Sequence, residues 1–297
     1  MEGLVQLLPA TPRLPEWLRR PRPSYPEVHA MKSRLRELRL HTVCESARCP
    51  NMHECFARGS ATFMILGNLC TRGCGFCSVP KSRHPWAPDP EEPAHVAQMA
   101  RSMALRHVVI TSVNRDDLSD GGSQHFAATV REVKRALPDA HVEVLTPDFK
   151  GRQESVAQVL DAAPHVFNHN METVPRLYRT VRPQADYRQS LDVLRFAKAY
   201  RPGTLTKSGA MVGLGETHAE VDRLLYDLRS ADVDVVTLGQ YLQPARRNLP
   251  VAEYVRPEQF DAYRSYGEGL GFRMVFSEPL VRSSYMADAV HQEAVIA

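Results

Sequence analysis

All six cysteines of this 297-residue chain fall between positions 44 and 77. In a reducing compartment, clustering of this kind marks metal ligands or catalytic thiols more often than disulfides. One group is Cys70-Thr-Arg-Gly-Cys74-Gly-Phe-Cys77, a C-x3-C-x2-C spacing on one short loop. Thiolates are soft ligands that suit iron–sulfur clusters or zinc. Three of them can hold three irons of a cubane and leave the fourth open, and an open iron can chelate an amino and a carboxylate group. Gly73 and Gly75 let such a loop fold closely around an inorganic core. The alternative is a zinc knuckle, but structural zinc prefers paired C-x2-C units and four closed ligands, and this loop offers three at uneven spacing. The second group, Cys44, Cys49 and Cys55, is spaced C-x4-C-x5-C. Three more thiolates cannot serve the same four-iron core, so they imply a separate cluster, or else structural cysteines. Pro50, Asn51 and His53 give a polar, loop-like setting that suits a buried structural cysteine poorly.

The frame for these ligands follows from the alternation of short apolar runs and amphipathic stretches. Ala61–Gly67, His107–Thr111, His141–Leu145, His165–Asn168 and Asp234–Leu238 read as compact, mostly β-branched strands, and Thr204–Val212 as a more polar one. Helical patterns lie between them at Glu91–Ala104, Ser123–Ala136, Arg152–Ala162, Asp186–Tyr200 and Thr217–Ser230. Buried strands separated by helices of that length imply βαβ units and a parallel sheet. About six such units fit between residues 61 and 240, fewer than the eight of a closed barrel. The expected fold is therefore an incomplete, open (β/α)6 TIM-type barrel, with its chemistry at the C-terminal ends of the strands. Three regions are expected: an arm plus the first cysteine group over 1–60, the partial barrel over 61–245, and a C-terminal extension over 246–297. A short helix is expected from Tyr25 to Leu38, after a Pro- and Arg-rich stretch, Met1–Pro23.

Composition narrows the function classes. A hydrophobic content of 43% supports one large α/β domain with terminal additions, or two small domains. The formal charge of +3 is nearly balanced and says little about partners beyond a mild preference for acidic ones. No run of about eighteen apolar residues suggests a membrane span, and the first residues lack the h-region and cleavage site of a signal peptide. The expected location is the cytoplasm, and the expected state a monomer.

The C-x3-C-x2-C loop after the first barrel strand, with the aromatic Phe76 before its last cysteine, resembles that of the radical SAM superfamily. There the open iron binds S-adenosylmethionine (SAM). The two cysteine groups together, C-x4-C-x5-C and then C-x3-C-x2-C, resemble the double signature of the lipoyl synthase family. Further matching segments are Thr111–Gly122 (TSVNRDDLSDGG), Asn168–Tyr178 (NHNMETVPRLY), Lys207–Glu216 (KSGAMVGLGE), Leu238–Pro244 (LGQYLQP) and Val281–Tyr285 (VRSSY). The likeness spans roughly residues 30 to 290. Biotin synthase lacks a cysteine group before its barrel. Methylthiotransferases place theirs in a whole N-terminal domain and add an RNA-binding domain. Neither pattern is met here.

The resemblance implies two [4Fe–4S] clusters. Cys70, Cys74 and Cys77 would hold the SAM-binding one. Cys44, Cys49 and Cys55 would hold an auxiliary one, with Ser283 as its fourth, weaker ligand. Ser283 read without the resemblance is a helix N-cap, because a helical pattern follows it through Ala287 and Val290. Arg282 would shield the cluster or hold the serine in place, or else make a surface ion pair. SAM contacts are expected at the strand ends: Phe76 on the loop; Thr111, Ser112 and Asn114; Asn170 and Glu172; Lys207, as partner of the methionine carboxylate, and Ser208; and Gln240, Tyr241 and Leu242 near adenine. Each of these is otherwise a polar group of the barrel rim. Gly213–Gly215 would let backbone approach the ligand. Arg115, Asp116 and Asp117 form a charged loop without an assigned role. Arg179 and Arg182 would face an acidic carrier domain or only solvent. The reaction implied is the insertion of two sulfur atoms, first at C6 and then at C8 of a protein-bound octanoyl-lysine. A 5′-deoxyadenosyl radical from SAM would abstract the hydrogens, and the auxiliary cluster would supply the sulfide. Implied partners are octanoylated carriers (lipoyl domains of 2-oxoacid dehydrogenases and the glycine cleavage H protein). A reductant such as ferredoxin or flavodoxin and an iron–sulfur carrier for cluster repair are implied as well. No nucleic acid or membrane partner is implied.

Overall fold

Short β-branched runs do become the strands at the centre of the molecule. In the computed structural model, which describes residues 14–19, 25–57 and 60–284, eight strands make one sheet in chain order. They are β1 (His41–Thr42), β2 (Thr62–Ile65), β3 (His107–Ser112), β4 (His141–Leu145), β5 (Val166–Asn168), β6 (Leu205–Val212), β7 (Val235–Gln240) and β8 (Met274–Ser277). β1 pairs antiparallel with β2. Every later pair, from β2 with β3 to β7 with β8, is parallel. The edges β1 and β8 are not paired with each other among the described residues, so the barrel is open as expected. It has one parallel strand more than the six read from the sequence, because the segment after residue 245 contributes a helix and β8.

The helices are α1 (Tyr25–Glu37), α2 (Val43–Ser46), α3 (Met52–Ala57), α4 (Glu92–Ser102), α5 (Ser123–Ala136), α6 (Gln153–Asp161), α7 (Tyr178–Val181), α8 (Tyr187–Tyr200), α9 (His218–Arg229) and α10 (Pro257–Gly269). Their starts are written in the sequence. Asp186 caps α8 by accepting from the Gln189 N–H. Thr217 and Glu220 form a reciprocal capping box on α9. Val108, Ile110, Val142, Val144 and Phe167 face outward into a core shared with α4, α5 and α6. A second core joins Val212, Val236 and Leu238 to Leu224, Leu228 and Phe260. Gly122, with φ of +89°, starts α5 where an added Cβ would lie 2.3 Å from Leu66 Cδ1. Only glycine permits both that conformation and that approach.

Alternation along the strands turns the other residues to the barrel interior. There Lys207 on β6 pairs with Glu143 on β4, at 3.0 and 3.1 Å, and Asn168 on β5 donates to Glu143 at 3.0 Å. Burial works to raise the Glu143 pKa, but Lys207, His107 and Asn168 together hold it at about 2. The interior is thus polar here, and a charged carboxylate is kept in it by partners on neighbouring strands. Most of Met1–Pro23, and everything from Tyr285 on, lies outside the described residues, including the helical pattern through Ala287 and Val290. Within the first stretch, Glu16–Leu18 form a 3-10 turn with Leu18 buried.

Candidate functional site

The Cys70–Cys77 loop leaves β2 at the C-terminal end of the barrel and is pinned from all sides. The Asn114 carbonyl, just beyond β3, accepts from both the N–H and the Oγ1 of Thr71, each at 3.0 Å. Gly75 N–H donates to the Val181 carbonyl at 2.9 Å. Asn248 Nδ2 donates to the carbonyls of Gly75 and Cys77 at 3.1 and 3.0 Å. The strongest hold is Arg72, between the first two cysteines. Its guanidinium meets Asp116 at 2.7 and 2.9 Å and Asp148 at 2.7 Å twice. Both pairs are bidentate, and the Arg72 and Asp148 side chains are 4% and 0% exposed. Burial works to raise the Asp148 pKa, yet Arg72 holds it at about 2.

The first cysteine group sits on the neighbouring edge. Thr42 caps α2, and Cys44 is buried on that helix. Cys49 follows the turn, its N–H donating to the Cys44 carbonyl at 3.0 Å, and Cys55 lies on α3. Two hydrogen bonds tie this segment to the far end of the chain: Asn51 Nδ2 to the Leu280 carbonyl at 2.8 Å, and Arg48 Nη1 to the Pro244 carbonyl at 3.1 Å. Ser78 Oγ donates to the Ser46 carbonyl at 2.7 Å and so joins the two cysteine segments directly.

A cavity of about 360 Å³ opens between them. Cys44, Cys49, Cys55, Cys77 and Ser283 all line it. Asn170 Nδ2 donates to Ser283 Oγ at 3.2 Å and to Glu172 Oε1 at 3.1 Å, bringing the C-terminal serine to the end of β5. Glu172 takes a positive φ of 66° and bridges to β6 through the Gly209 carbonyl and the Met211 N–H. Burial pushes its pKa up, against the pull of Arg182.

The expected SAM contacts divide into two sets. Phe76, Asn170, Glu172, Tyr241 and Leu242 line the cavity. Thr111, Ser112, Asn114, Lys207, Ser208 and Gln240 are not among its lining residues. Lys207 is placed elsewhere than expected: its ammonium is buried on Glu143 inside the barrel, where it pairs with that carboxylate. Thr111 Oγ1 and Ser208 Oγ bond the carbonyls of Leu145 and His169. The Gln240 side chain donates to the Tyr241 and Glu253 carbonyls and accepts from Val255 N–H, stapling the loops beyond β7. Gly213 packs against that staple, since a Cβ there would meet Glu253 O at 2.4 Å. Arg182 does not face solvent. It is buried with Nη1 on the carbonyls of Asn170 and Met171, and Arg179 alone of that pair is exposed. Arg72, Asp148, Asn51 and Asn248 were missed. Arg72 alone carried a signal, as a charge inside the cysteine loop.

The donors fit the expected groups. Each cysteine group offers three thiols and no fourth sulfur. Burial pushes Cys44 and Cys77 up to about 12 and raises Cys74. Thiols so costly to ionise become thiolates when a cationic iron core replaces their protons. Among the described residues no three His, Cys, Asp or Glu side chains converge as they would on a single ion, so the fit rests on the donor chemistry. For SAM, Ser112 Oγ and Asn170 Oδ1 are buried at the ends of β3 and β5 with no hydrogen-bond partner. Such atoms suit a polar ligand that supplies the missing bonds.

The chain matches the radical SAM superfamily over residues 64–228 and the N-terminal domain of lipoyl synthase over residues 5–49. It is 56% identical over 278 residues to the lipoyl synthase of Caldanaerobacter subterraneus subsp. tengcongensis, covering 94% of this chain and 97% of that one. It is 55% identical to that of Rubrobacter xylanophilus, covering 94% and 87%. Among solved structures, methylornithine synthase superposes with a TM-score of 0.53 at 18% identity, over 64% of this chain and 55% of that one. The [FeFe]-hydrogenase maturase HydG does so with 0.55 at 15%, over 67% and 47%. These two speak for the fold alone. With its cysteine groups, its open barrel and its SAM and [4Fe–4S] cofactors, this chain belongs to the lipoyl synthase family of radical SAM enzymes.

Proposed function

We propose that this enzyme inserts two sulfur atoms into a protein-bound octanoyl-lysine, at C6 and then C8, with sulfide drawn from an auxiliary [4Fe–4S] cluster. The observation that supports the reading is the shared cavity: Cys44, Cys49 and Cys55, Cys77 from the second group, and Ser283 all line it. Cys70, Cys74 and Cys77 hold the SAM-binding cluster; Cys44, Cys49, Cys55 and Ser283 hold the other, which is consumed as a substrate. When bound, the first cluster supplies the electron that cleaves SAM.

The chain's own residues do the rest by position. Arg72 and Asn114 hold the loop still, so that SAM meets the ends of β3 and β5 in one orientation. Ser112 and Asn170 offer hydrogen bonds to its polar groups. Leu145, Met211 and Leu242 give the cavity apolar wall, which holds an aliphatic chain and excludes water from a reactive site. Asn170 orients the Ser283 hydroxyl. No general acid or base is needed at the reacting carbon.

The acylated carriers, the reductant and the repair protein named above are the partners on this reading. The clustered thiols suit a reducing compartment such as the cytoplasm. Among the described residues no helix is long and apolar enough to cross a membrane. The test mixes reduced, reconstituted enzyme with SAM and an octanoyl-lysine peptide. Both 5′-deoxyadenosine and thiolated peptide are expected. Cys44→Ala is expected to keep part of the SAM cleavage and lose the sulfur product. Lipoyl product from that variant would refute the sacrificial cluster.

A further inference from the structure

The cavity has a charged rim. Arg48 lines it, is exposed, and donates one N–H to the Pro244 carbonyl, which lines it too. The same loop continues to Arg246 and Arg247, both exposed. Arg247 Nη2 donates to the carbonyl of Ser78, a further lining residue, at 3.4 Å. Two guanidiniums from distant stretches of chain, Arg48 and Arg247, therefore stand on one edge, with the exposed Arg246 next to Arg247 in the chain. A guanidinium has five N–H donors, and among the described residues no carboxylate pairs with any of the three. Elsewhere Arg176, Arg195, Arg223 and Arg264 are each tied to a neighbouring acid. The acid nearest in sequence, Glu45, lies 3.7 Å from Lys32 instead.

We propose that this rim docks an acidic protein domain that presents its acylated lysine to the cavity. The proposal rests on the sulfur-insertion reading and adds the surface that selects the carrier. A cavity of about 360 Å³ takes an extended side chain but not the domain that bears it, so the body of the carrier must rest outside. What it meets there is Arg48, Arg246 and Arg247, whose free donors call for carboxylates. The rim thus replaces Arg179 and Arg182 as the carrier-facing charges; Arg182 is spent inside the fold.

The test is the double charge reversal Arg246→Glu with Arg247→Glu in the reconstituted full-length enzyme. Neither residue lines the cavity. Two probes are compared: an octanoylated lipoyl domain with an acidic surface, and a short neutral octanoyl-lysine peptide. The domain's kcat/KM is expected to fall about tenfold or more, and the peptide's to change less than about twofold. The wild-type preference for the domain is expected to shrink with added salt, and that dependence to be lost in the variant. Equal losses on both probes, or no loss on the domain, would overturn the docking surface. Fluorescence anisotropy of the labelled domain, with Arg246→Gln/Arg247→Gln as the milder variant, reads binding without turnover. If the wild type binds the domain through these charges yet thiolates neither probe, the reaction assignment fails and the surface stands. If the wild type thiolates both and reversal changes nothing, only the surface fails.

Discussion

Exchanging Asp148 for Asn removes half of the charge that anchors the Cys70–Cys77 loop. Asp148 meets the Arg72 guanidinium twice at 2.7 Å, with neither side chain reaching solvent to any extent. Breaking a buried pair from one side costs about 3–5 kcal/mol, because the remaining charge is left without its counter-ion. A second route gives a smaller figure. Against the pull of burial, Arg72 holds the Asp148 pKa from the ordinary 3.8 down to about 2, which is worth about 2.5 kcal/mol at 1.36 kcal/mol per pH unit. Asp116 still holds Arg72 from the other side, so the loss should fall between the two, at about 3 kcal/mol, out of a total of about 5–15. Urea unfolding of the apoprotein reads it as a midpoint lowered by about 1 M if the slope is near 3 kcal/mol/M. The sign with pH is fixed. A depressed carboxylate gives stability that is complete above about pH 4 and lost as pH falls through about 2. The gap between wild type and variant should therefore be flat from pH 7 to about 4 and close below it. Iron retained by the Cys70 group after anaerobic reconstitution should fall alongside. A loss under about 1 kcal/mol, or a gap that stays open at acid pH, would refute the anchoring role.

Two further exchanges probe the other anchors. In Gly239→Ala the new Cβ would lie 2.0 Å from the Val281 carbonyl oxygen, so the backbone two residues before Ser283 must move. Since a displacement of about 1 Å can lower a rate about 10²-fold, thiolated product is expected to fall that far while 5′-deoxyadenosine falls only a few-fold; equal losses would count against a special tie to Ser283. Lys207→Met leaves Glu143 charged and buried without its cation, a loss of about 3–5 kcal/mol in urea unfolding, with SAM affinity within about twofold of wild type. A tenfold weaker SAM complex with unchanged stability would restore Lys207 to the methionine carboxylate.

What the sequence made legible was what is local. Both cysteine groups are read from spacing within a dozen residues, five strands from mostly β-branched runs, and a sixth from the more polar Thr204–Val212. β1 was missed because two residues carry no period, and β8 because Met274–Ser277 is short and only half buried. The strand-end rule put Lys207 at the rim, whereas its ammonium lies on Glu143. Lys207 stands third in the eight-residue strand Leu205–Val212, so its side chain enters the barrel rather than the rim. Arg72 found its partners 44 and 76 residues away, and Asn170 meets Ser283 across 113. No spacing rule reaches that far; only the curl of the open sheet brings such pairs together. The interior carboxylate Glu143 shows the same limit: nothing around it in HVEVL announces an ion pair two strands over.

The two cysteine groups are also held with unequal strength, and that inequality bears on the proposed chemistry. The Cys70 group is fixed by a buried, doubly bidentate Arg72, the kind of contact whose rupture costs several kcal/mol. Ser283 arrives through ordinary bonds: Asn170 to its hydroxyl at 3.2 Å and, three residues earlier, Asn51 to the Leu280 carbonyl at 2.8 Å. Neutral hydrogen bonds of this type contribute about 0.5–1.5 kcal/mol each. A serine so held would, on the proposed reading, be displaced at modest cost if its cluster gave up sulfide, whereas moving the SAM-binding loop would mean breaking the buried Arg72 pairs. On the proposed reading, the site that survives turnover is anchored by buried charge, and the site that is consumed is closed by a ligand the fold can release.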